Sequence, residues 1–101
     1  MAKPIGMEDA RDTQAKIKEV CKNMEKFLLE KNKRYGDSAL HPVNIFSKQS
    51  AENSLCIRLD DKIKRIQNAK VLRKNDVSDT IGYLFLLCIE KDWLSFDEFI
   101  D

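Results

Sequence analysis

The stretch Asp76-Val77-Ser78-Asp79-Thr80-Ile81-Gly82-Tyr83-Leu84-Phe85-Leu86-Leu87-Cys88-Ile89 decides the architecture. From Ile81 to Ile89 every position except Gly82 is apolar or aromatic, so no single face separates an inside from an outside. A helix of this kind, expected from about Asp76 to Lys91, has to be covered on several sides. It is either the central helix of a bundle or a helix in a subunit interface. In a chain of 101 residues, long enough for one hydrophobic core and no more, the remaining helices supply few neighbours. The apolar run is also about half of the roughly 20 residues a membrane span needs, so no transmembrane helix is expected.

Upstream, Ser50 can cap a second helix from about Ala51 to Ala69, with Leu55, Cys56, Leu59, Ile63 and Ile66 facing inward. A first helix is expected from about Asp12 to Arg34. Its stripe is Ile17, Val20, Cys21, Met24, Phe27 and Leu28, its start is capped by Asp9 or Asp12, and its end is closed by Gly36 in the left-handed conformation. Between Tyr35 and Ser50 the periodicity fails and Gly36, Asp37, Ser38, Pro42 and Asn44 supply turn chemistry. This loop is expected to be ordered and anchored by Val43, Ile45 and Phe46. Downstream, Ser95-Phe96-Asp97-Glu98 has capping-box spacing, predicting a short C-terminal helix with Trp93, Phe96, Phe99 and Ile100 on its apolar side. No alternating pattern marks a strand. The fold class is therefore all-α: a small bundle of three main helices plus a short C-terminal helix, one domain over residues 1–101 with a flexible lead at 1–11, completed by oligomerisation.

Hydrophobic residues make up 43% and charged residues 35% of the chain, with three Gly and two Pro, which excludes a disordered or fibrous protein. Eighteen Lys and Arg against seventeen Asp and Glu leave a net charge of +1, too little to gather nucleic acid or anionic membrane through a global field. Charge-based function must be local. The local excess is on the second helix, where the segment from Arg58 to Lys74 carries seven Lys or Arg against two Asp, a balance of +5. The opening Met1–Met7 has no apolar run of the signal-peptide kind, and a cytoplasmic location is expected. Cys21, Cys56 and Cys88, odd in number and without metal-type spacing, read as reduced core residues.

Three constellations bear on chemistry. Asp76 and Asp79 can point from one helical turn toward one place, where with Asp61 they could hold Mg²⁺; alternatively, Asp76 caps the helix and Asp79 is favoured by the macrodipole. Asp61, Lys62 and Arg65 combine a carboxylate, an ammonium and a guanidinium, a mixture suited to metal-bound phosphate or else an intrahelical ion pair between Asp61 and Arg65. His41 lacks a surrounding nucleophile motif, and the scattered glycines exclude P-loop and dinucleotide patterns. Sequence-specific DNA binding is not expected, because a helix-turn-helix needs a polar reading helix where the third helix is apolar.

Four blocks in order, Lys31-Asn32-Lys33-Arg34-Tyr35-Gly36-Asp37-Ser38-Ala39-Leu40, Pro42-Val43-Asn44-Ile45-Phe46-Ser47, Arg58-Leu59-Asp60-Asp61-Lys62-Ile63-Lys64-Arg65-Ile66 and Asp76-Val77-Ser78-Asp79-Thr80-Ile81-Gly82-Tyr83-Leu84, resemble the nucleotide modification associated domain common in bacteriophages. At longer range they look like the all-α nucleoside triphosphate pyrophosphohydrolases of the MazG and dimeric dUTPase group. There, helices of two subunits assemble a Mg²⁺ site that cleaves a nucleotide between its α and β phosphates. The resemblance implies a MazG-like bundle forming a dimer or higher homo-oligomer, in the host cytoplasm if a phage encodes it. Asp61, Asp76 and Asp79 would be the catalytic metal ligands. Lys62, Arg65, Lys31 and Arg34 would meet phosphate, and Tyr35 or Tyr83 would stack on a base, unless Tyr83 only hydrogen-bonds Asp79.

Asp76-Val77-Ser78-Asp79 matches the spacing of that group's Glu-x-x-Asp pair. Its Glu-x-x-Glu pair has no counterpart: Glu19, Glu25, Glu30 and Glu52 are followed three positions on by Lys22, Leu28, Lys33 and Leu55, and Asp60 and Asp61 are the nearest substitutes. The expected function is thus a Mg²⁺-dependent pyrophosphohydrolase. The alternatives are a non-catalytic nucleotide-binding, sequestering or partner-binding protein that has lost the metal site, or a purely structural helical oligomer.

Overall fold

The computed structural model describes residues 7–100, for residues 7–9 their backbone alone. Among them there are three α-helices, α1 (Met7–Tyr35), α2 (Ala51–Asn68) and α3 (Lys74–Glu90), one short 3₁₀ turn (Asp97–Phe99), and no strand. The all-helical expectation and its three main helices are what the structure shows. No described helix is long and apolar enough to cross a membrane. The chain divides into two compact units, one ending at Gly36 and carrying α1, the other starting at Asp37 and carrying α2 and α3.

α1 starts at Met7, ahead of Asp12, which therefore lies inside the helix and pairs with Lys16 at 3.2 Å instead of capping. At the other end Gly36 takes φ +67° and donates its N–H to the Asn32 carbonyl at 2.7 Å, the left-handed closure its sequence position predicts. Expected flexibility over 1–11 concerns a helix from Met7 onward; the rest of that lead lies outside the described residues.

In the second unit α2 and α3 pack as a helical hairpin. Ser50 caps α2 as anticipated, its Oγ accepting the Asn53 N–H at 3.1 Å. Lys91 Nζ meets Glu52 Oε1 at 3.2 Å and Lys62 Nζ meets Asp79 Oδ2 at 3.1 Å, so rising positions on α2 face falling positions on α3 and the two helices run antiparallel. The α2 stripe turned toward cover is Ala51, Leu55, Leu59, Lys62 and Ile66, a clean 3- and 4-residue spacing. Leu55, 0% exposed, is its centre. Lys62 occupies the place expected of Ile63, which is exposed because it lies past the edge of that stripe.

α3 closes through a Schellman arrangement: Trp93 N–H to Cys88 O at 2.8 Å and Asp92 N–H to Ile89 O at 3.0 Å, with Asp92 at φ +57°.

Three expectations fail. The C-terminal helix is only the 3₁₀ turn, and Ser95 Oγ receives the Asp97 N–H at 3.4 Å where a capping box would use Glu98. Val43, Ile45 and Phe46 do not anchor the loop; all three are exposed. The cysteines are not core: Cys21 and Cys56 are exposed and Cys88 is half-buried. Within the single chain α3 is not covered all round, Leu84, Phe85 and Ile89 remaining about half exposed, so of the two alternatives the central helix of a bundle is not what the chain forms by itself.

Candidate functional site

Arg58, Asp61, Lys62 and Arg65 follow one another at spacings of three, one and three, which keeps all four on one side of α2. Packing against α3 brings Tyr83 to them. These five residues line a hollow of about 190 Å³. The Arg58 guanidinium lies 5.8 Å from the centroid of the Tyr83 ring, within cation–π range. Asp61 and Arg65 also border a wider, open groove of about 780 Å³ along the end of α2 and the connection to α3, where Lys64, Lys70 and Arg73 add charge. Asp61 and Arg65 are not an ion pair, although their spacing allows one. The Arg65 guanidinium is thus left to face the hollows.

The other carboxylates are engaged by cations. Asp79 pairs with Lys62 across the two helices, with side chains 28% and 15% exposed. Asp76 is 1% exposed and its Oδ2 accepts a 3.0 Å bond from Arg73 Nε. It is no cap, because α3 begins at Lys74 and Asp76 sits within the first turn, where the helix dipole favours an acid and Arg73 neutralises it. Thr80 closes the turn through a 2.7 Å bond from its hydroxyl to the Asp76 carbonyl.

Among the described residues no group of three or more His, Cys, Asp or Glu side chains is placed to hold a metal ion. Among the described residues Asp76 and Asp79 each give one carboxylate oxygen, Oδ2, to a cation, Arg73 and Lys62 respectively.

Of the sequence candidates, the structure brings together Asp61, Lys62, Arg65 and Tyr83 and adds Asp79 through Lys62. Asp76 is drawn instead to Arg73. Lys31, Arg34 and Tyr35 belong to α1: Lys31 lies 5.1 Å from the Phe27 ring centroid, Arg34 is 3.8 Å from Glu30, and Tyr35 is exposed. Arg58 was visible in sequence only as one of a basic run. Its position four before Lys62 and seven before Arg65 is the signal for a shared face, but its alignment with Tyr83 needs the tertiary pairing.

No family model matches the chain, and neither a curated protein nor a solved structure is significantly similar to it.

Proposed function

We propose that the chain binds a nucleotide through its phosphates on the polar side of α2 and works as a homo-oligomer. The observation that carries this reading is the hollow where Arg58, Lys62 and Arg65 converge beside the ring of Tyr83. Guanidinium and ammonium groups hold phosphate oxygens by charge-assisted hydrogen bonds, and an aromatic face takes a base by stacking. Lys62 serves two partners here: it neutralises Asp79 and keeps further N–H donors for an anion. Lys31, Arg34 and Tyr35, which the sequence resemblance also assigns to phosphate and base, belong to the other compact unit. The order of the four sequence blocks, similar to the phage nucleotide modification associated domain, agrees with a cytoplasmic nucleotide-handling role.

A second reading, Mg²⁺-dependent pyrophosphohydrolysis, is favoured by one arrangement. Asp79 is tied to the same ammonium that would meet phosphate, one turn from Asp76. In this reading Asp76, Asp79 and Asp61 would hold the metal, with further ligands supplied by a second copy. Incubation with a panel of ribo- and deoxyribonucleoside triphosphates, with Mg²⁺ or with a chelator, followed by product separation, discriminates the two. Retention of intact nucleotide that survives the chelator and drops at least tenfold in Arg65→Ala supports the binding reading. Pyrophosphate release abolished by Asp79→Asn supports hydrolysis. Neither retention nor release overturns both.

A further inference from the structure

The hollow beside Tyr83 and the wide groove adjoin, because Asp61 and Arg65 line both. From Arg58 in the hollow to Asn68 in the groove, ten residues of α2 span about 15 Å, and Lys70 and Arg73 carry the lining on into the connection. Six cations, Arg58, Lys62, Lys64, Arg65, Lys70 and Arg73, stand along this surface against one acid, Asp61. Among the described residues Lys64, Arg65 and Lys70 are in no ion pair.

Arg73 is oriented at the groove from beneath. Its Nε donates to Oδ2 of Asp76 at 3.0 Å, and Asp76 is 1% exposed. The Arg73 side chain is itself 58% exposed, and a guanidinium has five N–H donors, of which this bond uses one. A carboxylate buried in the first turn of α3 thus steadies a guanidinium whose other donors remain for an anion in the groove.

This surface is longer than the phosphate chain of one nucleotide, in which three phosphates are joined through single oxygens. A stacked single strand carries one phosphate per roughly 3.4 Å and sets about four along the same length. Tyr83, at the hollow end, offers a ring for an unpaired base, which a duplex would withhold. We infer that the surface binds a short single strand of nucleic acid, one base at Tyr83 and the following phosphates running past Arg65 to Lys64, Lys70 and Arg73. Asp76 is a positioning residue that acts through Arg73. This rests on the nucleotide reading above and makes its ligand one residue of a strand. The net charge of +1 confines the contact to this stretch, since the chain has no global field to hold a strand elsewhere.

The test is calorimetric titration of the full chain, in chelator, with thymidine triphosphate and with oligothymidylates of two, four and six residues. Affinity rises at least about tenfold from the triphosphate to the tetramer and then levels off, with a salt slope of about −3 for four phosphates. Lys64→Gln with Lys70→Gln weakens the tetramer at least about tenfold and reduces that slope by about 1.4, leaving the triphosphate within about threefold. Asp76→Asn weakens the tetramer when Arg73 is present and has no further effect in Arg73→Gln, whereas a merely structural Asp76 would weaken triphosphate and tetramer in both backgrounds. Triphosphate binding with no gain on lengthening overturns the strand and leaves the nucleotide reading standing. Binding of neither overturns both. Inorganic polyphosphate, or a duplex of equal length, that binds as tightly as the tetramer overturns the single strand as the occupant.

Discussion

α1 and the α2–α3 hairpin hold themselves together by different means. Along α1 the ion pairs Asp12 to Lys16 and Glu30 to Arg34 are at one-turn spacing with exposed side chains, and Lys31 lies over Phe27 one turn before it. Contacts of this kind contribute a few tenths of a kcal/mol each. In the hairpin, contacts join distant positions, Lys62 to Asp79, Lys91 to Glu52 and Arg58 over Tyr83, Leu55 is sealed at the centre, and the one local pair, Arg73 to Asp76, closes on a buried carboxylate. A helix can be read from its own periodicity, but a site needs groups that periodicity does not place, and here they are assembled where two helices pack.

The sharpest way to break this contrast is Leu55→Ala. With no exposed surface to lose, Leu55 is replaced by a cavity, and stability falls by about 2–5 kcal/mol, measured by denaturant unfolding followed by circular dichroism. A change below about 0.5 kcal/mol would show that the hairpin does not rest on this side chain.

Arg73→Met comes next. It leaves the Asp76 carboxylate, whose side chain is 2% exposed, without its cation, and the expected cost is about 1–3 kcal/mol. The exposed stem of Arg73 contributes little packing, so Arg73→Lys should recover part of that loss in the same assay. On α1, Lys16→Ala removes an exposed one-turn pair and should cost only about 0.3 kcal/mol. A loss there as large as that of Arg73→Met would erase the distinction between the two regions.

The same distinction decides what was legible in the sequence. Ser50 as a cap, Gly36 as a left-handed closure, the three helices and the shared face of Asp61, Lys62 and Arg65 all follow from local rules of spacing and backbone conformation. Apolar character pointed to Val43, Ile45 and Phe46 in the loop and to the cysteines in the helices as core residues, but it does not supply cover, and these side chains lack what they were assigned. The placement of Lys62 within the α2 stripe was hidden because a hydrophobicity pattern assigns the inward position to Ile63. A long ammonium-bearing stem reaching a carboxylate on the facing helix fits there instead. The cap spacing of Asp76 suits a helix that begins there, but α3 begins at Lys74, and the same acid is a buried partner of Arg73. The proximity of Tyr83 to Arg58 had no local signal at all.

The central claim is that the polar side of α2, with Tyr83 beside it, receives the phosphates and base of a nucleotide. Following backbone amide chemical shifts by two-dimensional NMR while a deoxynucleoside triphosphate is titrated in without metal tests it most directly. Saturable shifts are predicted at Arg58, Asp61, Lys62, Arg65 and Tyr83, lost in Arg65→Ala; silence of these five amides up to millimolar nucleotide would contradict the account.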